Sequence, residues 1–504
     1  MIGLAEWLRR RAVRGPERPA LTCDGITWSY GELQQRVERL SAVLAAGGVG
    51  PGERVGYLGF NHPMFLVALF ATARLGGIFV PLNFRLAGPE IEFAVNDAGV
   101  HTLLVGSEHA EAVAAVRPRL CCTRYLGADA PAPGWDSAEA SMATAAPSPA
   151  ADVDPDAVAT IIYTSGTTGN PKGAMLTHGN LWANNMNTHL VFDCVSTDVA
   201  LNNAPLFHVG GLCVITLPIL AAGGHLVLHK AFDPLEQLRA IERYRVSVGF
   251  AVPAMLLFMS QHEAFAAADL SSLRLIAVGG APMPEPLLKL YAGRGIPVHQ
   301  GYGMTETSTM IAFLDPARSL DKLGSCGNAP ILTEFSIKDY AGAPIDAAHV
   351  KGEVCVRGAN VMKGYWNRPD ATAAVFDAEG WFHTGDVGYV DEEGYLFLCD
   401  RLKDMVISGG ENVYPAEVES ALFGHPAIAE IAVVGAPDER WGERVVAVAA
   451  LKPGASLTLE ELRDYGADRL ARYKLPLELR LVDALPRNPT GKVLKNRLRE
   501  MPGV

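Results

Sequence analysis

The sequence predicts an α/β fold: a large N-terminal domain of parallel or mixed sheets flanked by helices, followed by a small α+β domain. Short apolar strands alternate with helical patterns through most of the first 400 residues, the order that parallel βαβ units impose. Near Asp400 the alternation gives way to a unit of about a hundred residues, an ordinary size for a small domain. A glycine-rich segment after a predicted strand marks where open α/β sheets bind ligands.

The elements follow in order. Apolar runs at 54–59, 77–82 and 101–105 read as strands, with a helix over 64–75. Residues 128–155 turn rich in Ala, Pro, Ser and Asp, which reads as an exposed connector. A buried strand is expected at 158–163. Further on come a helix at 235–244, a strand at 246–252, a helix at 254–261, a strand at 273–278, a helix from Glu285 and a strand at 296–300. Beyond the charged segment Asp400-Arg401-Leu402-Lys403-Asp404 lie a helix at 414–423, strands at 428–434 and 445–451, and a helix at 459–472. Polar connections of that kind serve as hinges, so the domains are placed at 1–400 and 401–504.

Composition narrows the function. The 504 residues suffice for several domains and a large core. A net charge of -12 argues against nucleic acid, which calls for a basic face. The eight cysteines form no CxxC pair and no metal spacing, as expected of reduced thiols in a cytoplasmic protein. The N-terminus lacks the continuous apolar core of a signal peptide. The longest apolar stretch, at 212–222, falls well short of the ~20 residues of a membrane span.

The most informative segment is Thr164-Ser165-Gly166-Thr167-Thr168-Gly169-Asn170-Pro171-Lys172-Gly173. Glycines let backbone N–H groups approach phosphate oxygens, hydroxyls add donors, and Lys172 supplies a mobile cation. The spacing departs from the Walker pattern at Pro171 and Gly173, so this is a polyphosphate loop of another lineage. In Gln300-Gly301-Tyr302-Gly303-Met304-Thr305-Glu306-Thr307, Tyr302 is suited to stack on a purine and Thr305 to donate to a phosphate. Glu306 is suited to hold Mg²⁺, which takes oxygen ligands. Read alone, that segment serves equally well as an ordinary glycine turn. Trp381-Phe382-His383-Thr384-Gly385-Asp386 offers a carboxylate for ribose hydroxyls, with His383 read as structural. Arg401 lies beside the hinge, and Pro489-Thr490-Gly491-Lys492 carries a lysine near the C-terminus.

Together, in this order and over nearly the whole chain, these motifs resemble the adenylate-forming superfamily: acyl-CoA synthetases, peptide-synthetase adenylation domains and luciferases. The resemblance implies a mobile C-terminal domain and two half-reactions. A carboxylate attacks the α-phosphate of ATP to give an acyl-adenylate and pyrophosphate; a thiol, normally that of coenzyme A, then expels AMP. It implies catalytic roles for Lys492 and Thr305, a hinge at Lys403 and a magnesium ligand in Glu306. ATP or AMP would be held by Thr164, Ser165, Gly166, Thr167, Thr168, Gly169, Lys172, Gly280, Ala281, Gly301, Tyr302, Gly303, Asp386 and Arg401. Coenzyme A would pass Ser408, Gly409, Gly410, Glu411 and Asn412.

Pro205-Leu206-Phe207-His208-Val209-Gly210-Gly211 resembles the family's acyl gate. Amino-acid-activating relatives place an aspartate where His208 stands, which disfavours an amino-acid substrate. The implied pocket, His208, Val209, Gly210, Gly211, Val252, Gly279 and Met304, is apolar and has no arginine for a second carboxylate. The substrate implied is a small-molecule hydrophobic acid: fatty, aryl or polycyclic. His178 matches the family and is read as ordering its loop. Three alternatives share the motifs: an enzyme that performs only the thiolation half from a supplied acyl-adenylate, a luciferase-like oxygenase, and a nucleotide-binding module. The oligomeric state, monomer or homodimer, stays open.

Overall fold

The computed structural model describes residues 3–130, 133–146, 149–164, 171–408, 411–438, 440–487 and 493–501. The chain divides into two compact units, Met1–Phe335 with Val356–Phe382, and Ser336–Cys355 with His383–Val504.

The first unit is built on two eight-stranded sheets. One runs, edge to edge, Ala312–Phe313, Val298–Tyr302, Leu275–Val278, Val248–Ala251, Val199–Asn202, His225–Leu228, Pro19–Cys23 and Ile26–Ser29. Its interior ladders are parallel and its edge ladders antiparallel. The other runs Gly364–Tyr365, Lys172–Thr177, Val158–Thr164, Ile78–Leu82, Arg54–Leu58, Thr102–Val105, Arg124–Gly127 and Asp136–Ser137. Here too the interior is parallel, with an antiparallel hairpin leading to one edge. The helix Pro63–Arg74 is apolar almost all round and buried from Pro63 to Ala73, as a helix enclosed in a core must be. The helices Leu4–Arg14 and His178–Phe192 join the same core through Leu4, Trp7, Leu8, Leu181 and Phe192.

The connector at 128–155 is more ordered than its composition predicts. It contains the helix Ala138–Thr144, capped by the Ser137 hydroxyl, which accepts from the Ala140 N–H at 3.2 Å. Ala138 and Met142 are buried in the main core, so two apolar contacts and a cap outweigh an alanine-rich, otherwise polar segment.

The second unit contains the hairpin formed by Phe382–Val390 and Leu396–Arg401, and a five-stranded sheet. That sheet runs Glu411–Val413, Val406–Ser408, Gly442–Leu451 and Ile428–Asp438, with Glu478–Leu481 added parallel to Gly442–Leu451. Helices Pro415–Phe423 and Leu459–Ala467 cover one apolar face through Val418, Leu422 and Leu462. Leu498 of Lys495–Glu500 belongs to a second cluster with Val434, Val446 and Val448. The expected helix at 459–472 stops at Ala467 and is followed by a 3₁₀ turn at Arg472–Lys474.

Candidate active site

The segment expected to bind phosphate connects two antiparallel strands rather than a strand and a helix. Thr164 pairs with Lys172 across the hairpin, and its hydroxyl donates to the Lys172 carbonyl at 3.3 Å. A hairpin needs no helix after its lysine, which accounts for the departure from Walker spacing. Ser165, Gly166, Thr167, Thr168 and Gly169 lie outside the described residues.

Beside that hairpin runs Gly364–Tyr365, with Tyr365 paired to Ala174. The Tyr365 hydroxyl donates to Glu306 Oε1 at 2.8 Å, and the Lys172 ammonium lies 5.1 Å from the centre of the Tyr365 ring. Glu306 sits on the 3₁₀ turn Thr305–Thr307, anchored by the Met362 N–H donating to its carbonyl at 2.7 Å. All three residues of that turn are buried. Lys172, Tyr365 and Glu306 thus form one cluster of charge and hydroxyl, with Thr305 next to Glu306 on the same turn. Its carboxylate and hydroxyl oxygens are hard donors of the kind Mg²⁺ accepts.

Asp97 fixes this arrangement from behind. It accepts from the Tyr163 hydroxyl at 2.8 Å and pairs with Arg368 at 2.5 Å, while its carbonyl accepts from Trp366 Nε1 at 3.2 Å. One residue therefore ties the phosphate hairpin to the segment that carries Tyr365. Burial and the Asp97 carboxylate push the Tyr163 phenol above its usual range, so it remains the donor.

The segment expected to bind the nucleotide needs its glycines for backbone reasons. A Cβ on Gly303 would lie 1.1 Å from the Thr309 carbonyl oxygen, so only glycine lets the two backbones cross. Gly280 has φ +82 at the end of Leu275–Val278, and a side chain there would be strained. Tyr302 ends its strand, with its carbonyl accepting from the Ile311 N–H at 2.9 Å. Gly301 lies against the Phe313 ring.

His208 occupies the position that sheet topology marks for ligands. The chain leaves Val199–Asn202 toward His225–Leu228 on one side, and leaves the adjacent Val248–Ala251 toward Leu275–Val278 on the other, so the connections part between these two strands. Such a switch point opens a crevice at the strand ends. From this end the chain continues through Pro205, Leu206 and Phe207 to His208. Nδ1 of His208 accepts from the Gly210 N–H at 3.2 Å, which places the proton of the neutral ring on Nε2. The ring is reachable by solvent, yet the surrounding protein desolvates it and lowers its pKa below the usual histidine range. Gly211 has no room for a Cβ, which would meet the Pro205 carbonyl oxygen at 2.4 Å. Val209 is buried, Val252 and Met304 are half-buried, and Gly279 would bring a Cβ 3.3 Å from the Gly301 oxygen.

Asn61 is a residue the sequence did not signal. It is buried; its Nδ2 donates to Ala204 O at 2.9 Å and His229 O at 3.1 Å, and its Oδ1 accepts from Leu206 N–H at 2.8 Å. It pins the loop that ends in His208. Tyr365 was likewise missed, because Gly-Tyr-Trp-Asn-Arg-Pro carries no charge pattern that separates it from a surface turn.

In the second unit, Asp386 and Arg401 pair across their hairpin, with Arg401 Nε 2.8 Å from Asp386 Oδ1. His383 Nδ1 lies 2.8 Å from Glu353 Oε2 and 3.6 Å from Cys355 Sγ. These three residues bring potential metal-ligand atoms within 4.8 Å of one another, but the Glu353 oxygens already serve His383 and the Gly385 N–H. Lys403 follows Arg401. Asp404 pairs with Arg499 at 2.7 Å, and Asp400 accepts from Ala416 N–H at 2.6 Å. Ser408 pairs with Glu411 and Ile407 with Asn412. Gly409, Gly410 and Lys492 lie outside the described residues. Among the described residues the cysteines form no disulfide. Among the described residues no helix is long and apolar enough to cross a membrane.

Comparison with known proteins decides between the readings of this geometry. The AMP-binding enzyme family matches residues 8–366, and the AMP-binding enzyme C-terminal domain matches residues 417–492. The chain belongs to the AMP-binding enzyme family. It is 46% identical to a feruloyl-CoA synthase of Amycolatopsis sp over 99% of this chain and 98% of that one. It is 43% identical to an indoleacetate–CoA ligase of Aromatoleum aromaticum, over 99% and 98%. Among solved structures, the o-succinylbenzoate coenzyme A synthetase from Bacillus subtilis in complex with ATP and magnesium ion is 37% identical, covers 98% of both chains and superposes with a TM-score of 0.88. The chain is an adenylate-forming acyl-CoA synthetase, an AMP-forming acid–thiol ligase of the aryl and fatty acid branch. Synthetases of this kind use ATP, coenzyme A and Mg²⁺.

Proposed function

We propose that this synthetase acts on ring-bearing hydrophobic carboxylic acids, converting each to an acyl-adenylate and passing the acyl group to coenzyme A. One observation carries the choice of acid. At the strand-end crevice that presents His208, a Cβ on Gly280 would meet nothing closer than Val252 Cγ1 at 3.6 Å. Open space beside bare backbone is flat, and a planar ring fills a flat slot better than a branched chain does. The neutral His208 offers no fixed charge to an ammonium or to a second carboxylate. Similarity to a feruloyl-CoA synthase and an indoleacetate–CoA ligase supports the same choice.

In the first half-reaction a carboxylate oxygen attacks the α-phosphorus of ATP and the bond to pyrophosphate breaks in line. We assign Lys492 to bridge the two anions as they meet, because one ammonium can touch both the acid and the α-phosphate. Thr305 donates to the same phosphate. Thr164, Lys172 and the donors at 165–169 hold the pyrophosphate, Tyr302 with Gly280 and Ala281 takes the adenine, and Asp386 beside Arg401 takes the ribose. Glu306 is the residue that would hold Mg²⁺, which when bound neutralises charge on the phosphates. In the second half the coenzyme A thiol attacks the acyl carbonyl and AMP leaves. Ser408, Glu411 and Asn412, with Gly409 and Gly410, are assigned to the pantetheine path. We place the domains at 1–400 and 401–504 with the hinge at Lys403, and the enzyme in the cytoplasm.

The test is a panel of hydroxycinnamic, indolic and C8–C16 aliphatic acids with ATP, Mg²⁺ and coenzyme A, scoring pyrophosphate and acyl-CoA separately. Ring-bearing acids are expected to exceed aliphatic ones in kcat/KM by about tenfold or more, since apolar pockets discriminate by shape only modestly. Aliphatic acids turning over as well as aromatic ones would defeat the proposal. Acyl-CoA formed only from supplied acyl-adenylate would reassign the chain to thiolation alone.

A further inference from the structure

We infer that Glu353 is a positioning residue for ribose recognition: it clamps the strand segment that presents Asp386. The inference rests on the reading of Asp386 as the ribose carboxylate.

Glu353 spends both carboxylate oxygens on one short segment. Oε2 lies 2.8 Å from His383 Nδ1, and Oε1 accepts from the Gly385 N–H at 3.0 Å. The two residues flanking Thr384 are therefore held by the same side chain. Thr384 is tied to the same strand, its hydroxyl donating to Val354 O at 2.7 Å and accepting from the Asp386 N–H at 3.0 Å. Neighbouring residues 353 and 354 thus fix residues 383 to 386, one through its side chain and the other through its backbone.

On the side a Gly385 side chain would occupy, packing supplies no restraint, so this strand segment relies on its hydrogen bonds, the Leu402 N–H donating to the Gly385 carbonyl at 2.8 Å among them. Gly385 has φ +71, and a Cβ there would meet nothing within 4 Å. Glycine is present for its backbone conformation, in a place with open space on that side. A left-handed glycine without neighbours is a weak point unless hydrogen bonds hold it, and charge-assisted bonds are short and directional. Asp386 is buried and pairs with Arg401 at 2.8 Å. Its carboxylate therefore reaches a ribose only along the direction that the 383–385 backbone sets. Release of Oε1 from Gly385 would let that direction wander, and a misplaced acceptor loses most of its benefit.

Glutamine at 353 keeps the clamp. Its amide oxygen accepts from Gly385, and its NH₂ donates to His383 Nδ1 in the Nε2–H tautomer. Alanine removes both bonds. Aspartate keeps the charge but is one methylene short of reaching both partners.

The experiment compares ATP with 2′,3′-dideoxy-ATP in the full-length enzyme, using pyrophosphate release. The wild type is expected to prefer ATP by about a hundredfold in kcat/KM, since a polar group left without its partner is penalised strongly. Glu353→Ala should cut that preference about tenfold through a raised KM for ATP, with the KM for the acid unchanged. Glu353→Gln should restore it to within about threefold of wild type. If Glu353→Ala does not fold, Glu353→Asp carries the same test with an intermediate loss. A raised KM with the ATP preference intact would reduce Glu353 to general structural support and overturn the inference. An Asp386→Asn enzyme that keeps the full wild-type preference would instead remove the reading of Asp386 itself.

Discussion

The Tyr365 hydroxyl donates to Glu306 at 2.8 Å while the Lys172 ammonium lies over the same ring, 5.1 Å from its centre. One aromatic side chain therefore orients an anion through its edge and attracts a cation to its face. Without the hydroxyl, the buried Glu306 loses a charge-assisted donor. Tyr365→Phe is expected to lower stability by about 2 kcal/mol. It should also raise the Mg²⁺ concentration needed for half-maximal pyrophosphate release several-fold. Denaturant unfolding and a Mg²⁺ titration read the two effects, and an unchanged Mg²⁺ curve would separate Tyr365 from the phosphate chemistry.

Asn61 joins the strand-end loop at 204–206 to the chain around His229 through three hydrogen bonds. Asn61→Ala leaves one buried N–H and two buried carbonyls to find other partners. The expected cost is about 2 to 4 kcal/mol, because each unsatisfied buried group carries its own desolvation penalty. The loop it releases ends in His208, so KM for the acid should rise while KM for ATP holds. Equal changes in both would show that Asn61 supports the fold without specific coupling to the acyl crevice.

The parts legible in the sequence are those with a period or a dense chemical signature. Strands such as Leu275–Val278 and helices such as Pro234–Tyr244, with its Asp233 cap, follow from apolar spacing and local caps. The charged or hydroxylated residues Lys172, Thr305, Glu306 and Asp386 stand in motifs whose composition suits no ordinary core. Tyr365, Asn61 and Glu353 carry no such mark. Each works through a partner distant in sequence: Glu306 from Tyr365, Leu206 from Asn61, Gly385 from Glu353. Local pattern cannot reveal a bond that only the sheet topology creates. The helix Ala138–Thr144 escaped for a related reason, since its burial depends on a core assembled from other segments.

His178 gives the fold a defined acid limit. It is buried, with its Nδ1 accepting from the Leu4 N–H at 3.1 Å, and burial lowers its pKa from 6.5 to about 4. Because the folded-state value is the lower one, the unfolded chain binds the proton first as pH falls. Stability is then full above about pH 6.5 and declines toward pH 4, by about 3 kcal/mol for this group. Urea unfolding at intervals across that window should show the loss, and His178→Asn should reduce it by this group's share, since burial lowers His299 to about 4 as well. A wild-type stability that stays level from pH 7 to 4.5 would contradict the assignment.

The role proposed for Lys492 separates the two halves of the reaction. An ammonium that touches both the incoming carboxylate and the α-phosphate acts where charge is exchanged in adenylation, and it has no corresponding task when a thiol attacks an acyl carbonyl. Lys492→Ala is therefore expected to slow pyrophosphate release by about a hundredfold or more. Acyl-CoA formation from synthetic acyl-adenylate should stay within a few-fold of wild type. Loss of both half-reactions to the same degree would mean that the lysine holds AMP or the fold. Loss of thiolation alone would assign it to the coenzyme A path and leave the adenylation cation to Lys172.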